Sequence, residues 1–195
     1  MDERYLNVVD VEATCWEGAV PPGQVSEIIE IGLCVVDLQA LERVGRRSIV
    51  VRPVRSVVSE FCTELTTLTQ EQVDSGAEFA AACELLRSEH GAAARAWASW
   101  RDDDRRQFER QCAATGVPYP FGVRHINAKR VFSESLGTAK RYGMAEALRV
   151  REMALEGTHH RGGDDAWNIA NLVVDTIRRG AWPDQESVDW RWTAS

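Results

Sequence analysis

The sequence predicts an α/β domain built on a mixed sheet, and three observations carry that prediction. Three strand-like segments, 5–13, 27–38 and 46–54, follow one another with no helical stretch between them. Beyond them, short apolar runs alternate with helical periods. The chain has 195 residues, 44% of them hydrophobic and 27% charged, which suits one globular domain over 1–195 with a sizeable core.

"YLNVVDVEA" (5–13) is β-branched and alternating, and reads as the first strand. "EIIEIGLCVVDL" (27–38) is the second, and "RRSIVVRPV" (46–54), ended by Pro53, the third. "LTTLTQEQVDSG" is a turn leading to a short helix, with Thr69 as N-cap and Glu71 and Gln72 in the first turn. Segment 77–91 is an amphipathic helix closed by Gly91. "ARAWASW" (94–100) is a fourth strand, and 102–116 a helix opened by Asp and closed by Gly116. "VRHIN" (123–127) is a fifth strand, running into helical "AKRVFSESLG". In the last helix, 164–180, Ala166, Ile169, Ala170, Val173 and Ile177 share one face. Trp190 and Trp192 in the tail are expected to pack back on the body.

Composition excludes several classes. No apolar run is long enough to span a membrane. The start "MDERYLN" lacks the basic and apolar regions of a signal peptide. Five scattered cysteines without a CxxC pair argue against a disulfide framework and a structural zinc site, so a cytoplasmic protein is expected. A net charge of −7 does not suit a protein that coats long nucleic acid. Charge is uneven, however: between Arg124 and Arg151 stand seven basic residues against Glu134 and Glu146, enough to hold a few phosphates or simply to solvate helix faces.

Chemistry concentrates in three places. In the first strand Val8, Asp10 and Glu12 share one face while Val9, Val11 and Ala13 share the other. Two carboxylates at the C-terminal end of a strand can share a hard divalent cation, or simply face solvent. In "GTHHRGGDDAWNIA" (157–170), Asp164 and Asp165 open a helix, where the dipole favours an ionised acid, as ligand or as cap. His159 and His160 precede them in a loop whose Gly162 and Gly163 allow a mobile or tightly turned backbone, and a histidine there can act as a general base. In "SWRDDDRRQFERQC" (99–112), Asp102, Asp103 and Asp104 open another helix, and one of them can serve as its cap.

Taken together these pieces resemble the DEDDh group of 3′→5′ exonucleases, and "VVDVEATCWEG" is similar to the first motif of the branch that includes the histone-mRNA and RNA-interference-related exoribonucleases. "SEIIEIG" (26–32), "VRPV…SEFCTELTTLTQEQVDSG" (51–76), "SWRDDDRRQF" (99–108) and "RHINAKRVF" (124–132) follow in that branch's order, so the resemblance covers nearly the whole chain. It implies an RNase H-like mixed five-stranded sheet, strand 2 antiparallel, with helices on both faces. By position it implies Asp10, Glu12, Asp104 and Asp165 as ligands of two divalent cations, magnesium or manganese. Asp104 is selected as the acid four residues before Phe108, and His160 as the base five residues before Asp165. Two residues depart from the pattern: Arg101 stands where glycine is common, and Gly163 where a larger apolar residue is common.

The implied reaction is hydrolysis of single-stranded RNA from its 3′ end to nucleoside 5′-monophosphates. The backbone at Ala13 and Thr14 would take the terminal 3′-hydroxyl, Trp16 would stack on a base or pack in the core, and Arg124 and Lys129 would hold upstream phosphates. The competing readings are single-stranded DNA as substrate and a regulatory protein that binds RNA ends. No membrane partner is expected, and the sequence names no protein partner.

Overall fold

The computed structural model describes residues 3–183, so Trp190 and Trp192 lie outside the described residues. β1 (Tyr5–Ala13), β2 (Ile28–Asp37) and β3 (Glu42–Val50) form an antiparallel meander. β4 (Ala96–Ser99) runs parallel to β1, and β5 (His125–Asn127) parallel to β4, giving the order β3-β2-β1-β4-β5. β1 is thus central, which is why Leu6, Val8 and Val9 are fully buried and the strand is apolar on both faces at its start. The five-stranded mixed sheet with an antiparallel second strand is the one the resemblance implied.

Helices cover both faces. α3 (Phe79–His90) and α4 (Asp103–Thr115) lie on one side, where Phe79, Leu86 and Phe108 pack on Val9, Leu33 and Trp97. α5 (Ala128–Ser135), α6 (Met144–Val150) and α7 (Gly162–Arg178) lie on the other, where Phe132, Leu148, Ala166, Ile169, Ala170 and Val173 meet Leu6 and Val8. α1 (Glu60–Thr66) and α2 (Gln70–Asp74) form a smaller cluster around Ile29, Cys62, Leu68 and Val73. Among the described residues no helix is long and apolar enough to cross a membrane.

Four local readings change. β3 spans 42–50 rather than 46–54, because its register with β2 starts at Asp37↔Glu42, straight after a tight turn. In that turn the Asp37 carboxylate accepts from the Gln39 and Ala40 amides at 2.9 and 3.1 Å. α1 was not expected from the sequence; Ser59 caps it by accepting from the Cys62 amide at 3.0 Å. α6 was not expected either, and its N-cap, Gly143, offers no side chain to announce it. α2, by contrast, carries the anticipated Thr69 cap as a full capping box with Gln72.

The fourth change concerns Gly162 and Gly163, which are not hinge residues of a loop. They form the first turn of α7, buried against β2 and β3. A Cβ on Gly32 of β2 would lie 1.8 Å from the Gly162 carbonyl oxygen, and one on Gly163 would lie 3.0 Å from Ser48 Cβ. The glycines allow close helix-on-sheet approach, and the larger apolar residue expected at 163 would find no room.

Candidate active site

The site forms where the C-terminal ends of β1 and β4 meet the N-terminal ends of α4 and α7. The alternation of β1 turns Asp10 and Glu12 to the face that carries α7, whose first turn presents Asp165. Carboxylate oxygens of Asp10, Glu12 and Asp165 lie within 4.8 Å of one another. Asp104 enters from the first turn of α4, with its Oδ1 accepting from the Val11 amide at 3.2 Å. Asp103 is exposed and pairs with Arg101, while Asp102 accepts from Asn127 Nδ2 at 3.0 Å. Of the three acids it is therefore Asp104 that is buried at the carboxylate cluster.

A cleft of about 420 Å³ gathers these groups, with Asp10, Glu12, Asp104, His160 and Asp165 all on its wall. Lys129 and Arg101 line it as well. Ala13, Thr14, Trp16 and Arg124 are not among its lining residues. Thr14 is spent internally: its hydroxyl donates to Val25 O and accepts from the Glu27 amide, and its own amide donates to Glu27 O. Arg124 precedes β5, which runs parallel to β4, so it sits at the opposite end of the sheet, where its guanidinium donates to Ala94 O at 2.9 Å.

The electrostatics of the cluster follow from burying like charges together. The Asp10 carboxyl is pushed well above the usual carboxylate range, first by desolvation and then by Asp104, Glu12, Asp165 and Glu30. Glu12 is pushed up to about 8 by burial, with Asp165, Glu30 and Asp104 adding and Arg161 opposing. Asp104 rises to about 6 through burial, held back by the Val11, Asp104 and Arg101 amides and the Ser99 hydroxyl. Asp165 is raised by burial against the pull of His159 and the His160 amide. Such a set stays ionised only if positive charge enters it. An all-carboxylate donor set is the one hard divalent cations prefer, so these residues fit a divalent metal.

Glu30 is a structural member of the site that the sequence reading missed. It lies directly opposite Glu12 in the β1–β2 register and is 1% exposed. Its carboxylate accepts from the Gly162 amide at 2.8 Å, from Arg161 Nε and Nη2 at 3.1 Å, and from the Ser48 hydroxyl. It thereby satisfies the open N-terminus of α7, where the Arg161 side chain supplies no cap, and fixes the turn that carries Asp165. The signal was present: Glu30 is a carboxylate in an apolar strand, just as Asp10 and Glu12 are.

The two histidines divide their contacts. His159 Nδ1 meets the Asp165 carboxylate at 2.9 Å, whereas His160 reaches the same oxygen through its backbone amide at 3.0 Å. The rings stack with centroids 3.9 Å apart. His160 has φ +62°, a left-handed conformation that a β-carbon makes costly and that recurs at functional positions. Asp164 turns away from the cluster, accepting from the Thr158 amide at 2.6 Å and pairing with Arg46.

A model of the exonuclease family matches residues 8–173. The chain belongs to the exonuclease family. This exonuclease is 30% identical over 200 residues to the 3′-5′ exonuclease Snipper of Drosophila melanogaster, covering 91% of this chain and 70% of that one. It is 29% identical over 188 residues to the 3′-5′ exoribonuclease 1 of Homo sapiens, covering 90% of this chain but only 53% of the human protein. The nuclease domain of 3′hExo, a DEDDh family member solved bound to rAMP, superposes with a TM-score of 0.83 at 27% identity, over 92% of this chain and 94% of that domain. This exonuclease therefore has the RNase H-like fold of the DEDDh nucleases, a group dependent on divalent metal.

Proposed function

We propose that this exonuclease removes nucleotides one at a time from the 3′ end of single-stranded RNA, releasing nucleoside 5′-monophosphates. The observation that carries this reading is the convergence of Asp10, Glu12, Asp104, Asp165 and His160 in one cleft at the ends of β1 and β4. The four carboxylates would hold two divalent cations, magnesium or manganese. When bound, the cations supply charge balance for an anionic phosphodiester and ease ionisation of the attacking water. His160, on the cleft wall, takes the proton of that water at its imidazole. Asp104 and Asp165 are locked by backbone amides, so the ligand set is preorganised. Lys129 and Arg101 offer cationic groups to the phosphates entering the cleft. Trp16, half-buried and four residues past Glu12, would border the terminal nucleotide at the edge of the cleft. RNA is favoured because the human relative is named an exoribonuclease and the structural neighbour holds rAMP. Five cysteines without a disulfide suit a reducing compartment, and we place the protein in the cytoplasm.

The test is a 5′-labelled RNA and its DNA counterpart incubated with manganese, magnesium or EDTA. A ladder shortening from the 3′ end, abolished by EDTA and by Asp10→Ala, is expected. Equal inactivity of wild type and Asp10→Ala under every condition would refute the enzyme reading, and a ladder on DNA alone would reassign the substrate. The contact of His159 with Asp165 supports a second reading, in which His159 is the base. His160→Ala is expected to cost orders of magnitude in rate and His159→Ala far less; the reverse would exchange their roles.

A further inference from the structure

The turn at 99–102 joins β4 to α4 and so sets where Asp104 stands against β1. Three of its residues are held from β5 and the start of α5. Ser99 Oγ lies 2.8 Å from His125 Nε2. The Trp100 carbonyl accepts from the Lys129 amide at 3.0 Å, and the Asp102 carboxylate accepts from Asn127 Nδ2 at 3.0 Å. Asp102 is the N-cap of α4 but makes no side-chain cap bond, so the start of this helix is placed from outside it. His125 and Asn127 are not among the residues lining the cleft.

The hydrogen bonds of His125 have a direction. Ser99 is fully buried at the last position of β4, and its hydroxyl donates to the Arg101 carbonyl. A serine has one proton, and the Arg101 carbonyl and the Asp104 carboxylate both compete for it. The bond between Ser99 and His125 therefore takes its proton from the ring. His125 is itself 2% exposed, and burial keeps its imidazole neutral near pH 7, with a single ring proton. With that proton on Nε2, Nδ1 carries none. Nδ1 is buried without a hydrogen-bond partner, and Asp102 Oδ1 stands 3.7 Å away, beyond hydrogen-bond range.

We propose that His125 is a positioning residue for the metal-dependent reaction. Its Nε2–H fixes the Ser99 hydroxyl, and the hydroxyl fixes the Arg101 carbonyl and with it the turn that delivers Asp104 to the carboxylate cluster. The proposal rests on the reading of Asp104 as a metal ligand. His125 touches neither substrate nor metal; it acts through Ser99.

The experiment measures manganese binding by calorimetry in the absence of RNA, for the whole protein and its variants. Replacing a group that orients a metal ligand typically costs about 10- to 100-fold in affinity, so His125→Phe and Ser99→Ala are each expected to raise the Kd about tenfold. His125→Gln places an amide donor near the same point and is expected to restore most of the affinity. The double variant is expected to bind no worse than either single one, because both break the same chain. Long-range 1H–15N correlation of the wild-type ring reads the tautomer directly, with the proton expected on Nε2. A proton on Nδ1, additive losses in the double variant, or equal affinity in His125→Phe and wild type would overturn the proposal. Asp104→Asn separates the two readings. If it binds manganese like wild type, the ligand reading fails and this proposal with it; if it loses binding while His125→Phe does not, this proposal alone fails.

Discussion

Replacing Gly32 with alanine adds one methyl group in the middle of β2, and the structure gives its consequence a magnitude. The new Cβ would lie 1.8 Å from the Gly162 carbonyl oxygen and 2.5 Å from the Gly163 amide nitrogen. A relaxed carbon–oxygen contact is about 3.3 Å, so the start of α7 must retreat from β2 by roughly 1.5 Å. The obstacle is backbone, not the far end of a flexible side chain, so the strain cannot be relieved by a rotamer change. Asp165 is three residues along that helix, and Gly32 is the register partner of Asp10. The substitution therefore separates two of the four carboxylates. Misplacing a reacting group by about 1 Å can cost about 10²-fold in rate, and overpacking costs about 1–3 kcal/mol in stability. We expect Gly32→Ala to fold with a lowered Tm, to hydrolyse RNA about 10²-fold more slowly at saturating manganese, and to need more metal for half-maximal rate. Gly45→Ala is the control, because its Cβ would meet Val35 at an ordinary 3.7 Å. A Gly32→Ala enzyme with kcat within threefold of wild type would refute the argument, and so would one that lost stability alone.

Glu30→Gln keeps an acceptor for the Gly162 amide but removes the charge that Arg161 pairs with, so a loss of about 2 kcal/mol in urea unfolding is expected; an unchanged midpoint would show that the pair contributes nothing. His125 is 2% exposed and packed at a tilt against Trp97, and burial pushes its imidazole down to about 3 from the ordinary 6.5. The unfolded chain takes up that proton below pH 6.5 and the folded chain does not, so this contribution to stability is full above pH 6.5 and falls as pH drops toward 3. Between pH 7 and 5, His125→Phe should lose about 2 kcal/mol less stability than wild type by urea unfolding, and parallel profiles would refute the assignment. Asp37, held down to about 2 chiefly by the Arg4 guanidinium and the Ala40 amide, acts at lower pH: its contribution is present above about 4 and lost as pH falls through 2, so Asp37→Ala should flatten the acid limb of the same curve.

Some elements of this chain announce themselves in the sequence and others do not. β1 and β2 were legible because they are sustained runs of β-branched and other apolar residues, and the Thr69–Gln72 capping box because it is local chemistry. α7 was legible from one apolar face that became the contact with Leu6 and Val8. β3 was misplaced by four residues because an edge strand is mostly exposed and its sequence, ERVGRRSIV, is polar where it pairs. There the turn at Asp37 and the β2 register, not apolar pattern, set the boundary. α1 and α6 are seven residues each, too short for a periodic signal to rise above their surroundings.

At the site, local chemistry pointed to Asp10 and Glu12 and to the acids and histidines before two helices, and the resemblance to the DEDDh exonucleases nominated Asp104, His160 and Asp165 among them by position. Tertiary structure alone decided what surrounds them. It put Glu30 across from Glu12 under α7, gave the Asp165 carboxylate to the His159 ring and the His160 amide, and carried Arg124 to the far end of the sheet. It also put Gly162 and Gly163, whose sequence allows a mobile or tightly turned backbone, in close contact with Gly32 and Ser48. The physical reason is plainest at Glu30 and Gly32. A sequence records local preferences for turn, cap and face, whereas the groups these two residues meet, at Arg161 and Gly162, lie about 130 residues further along the chain.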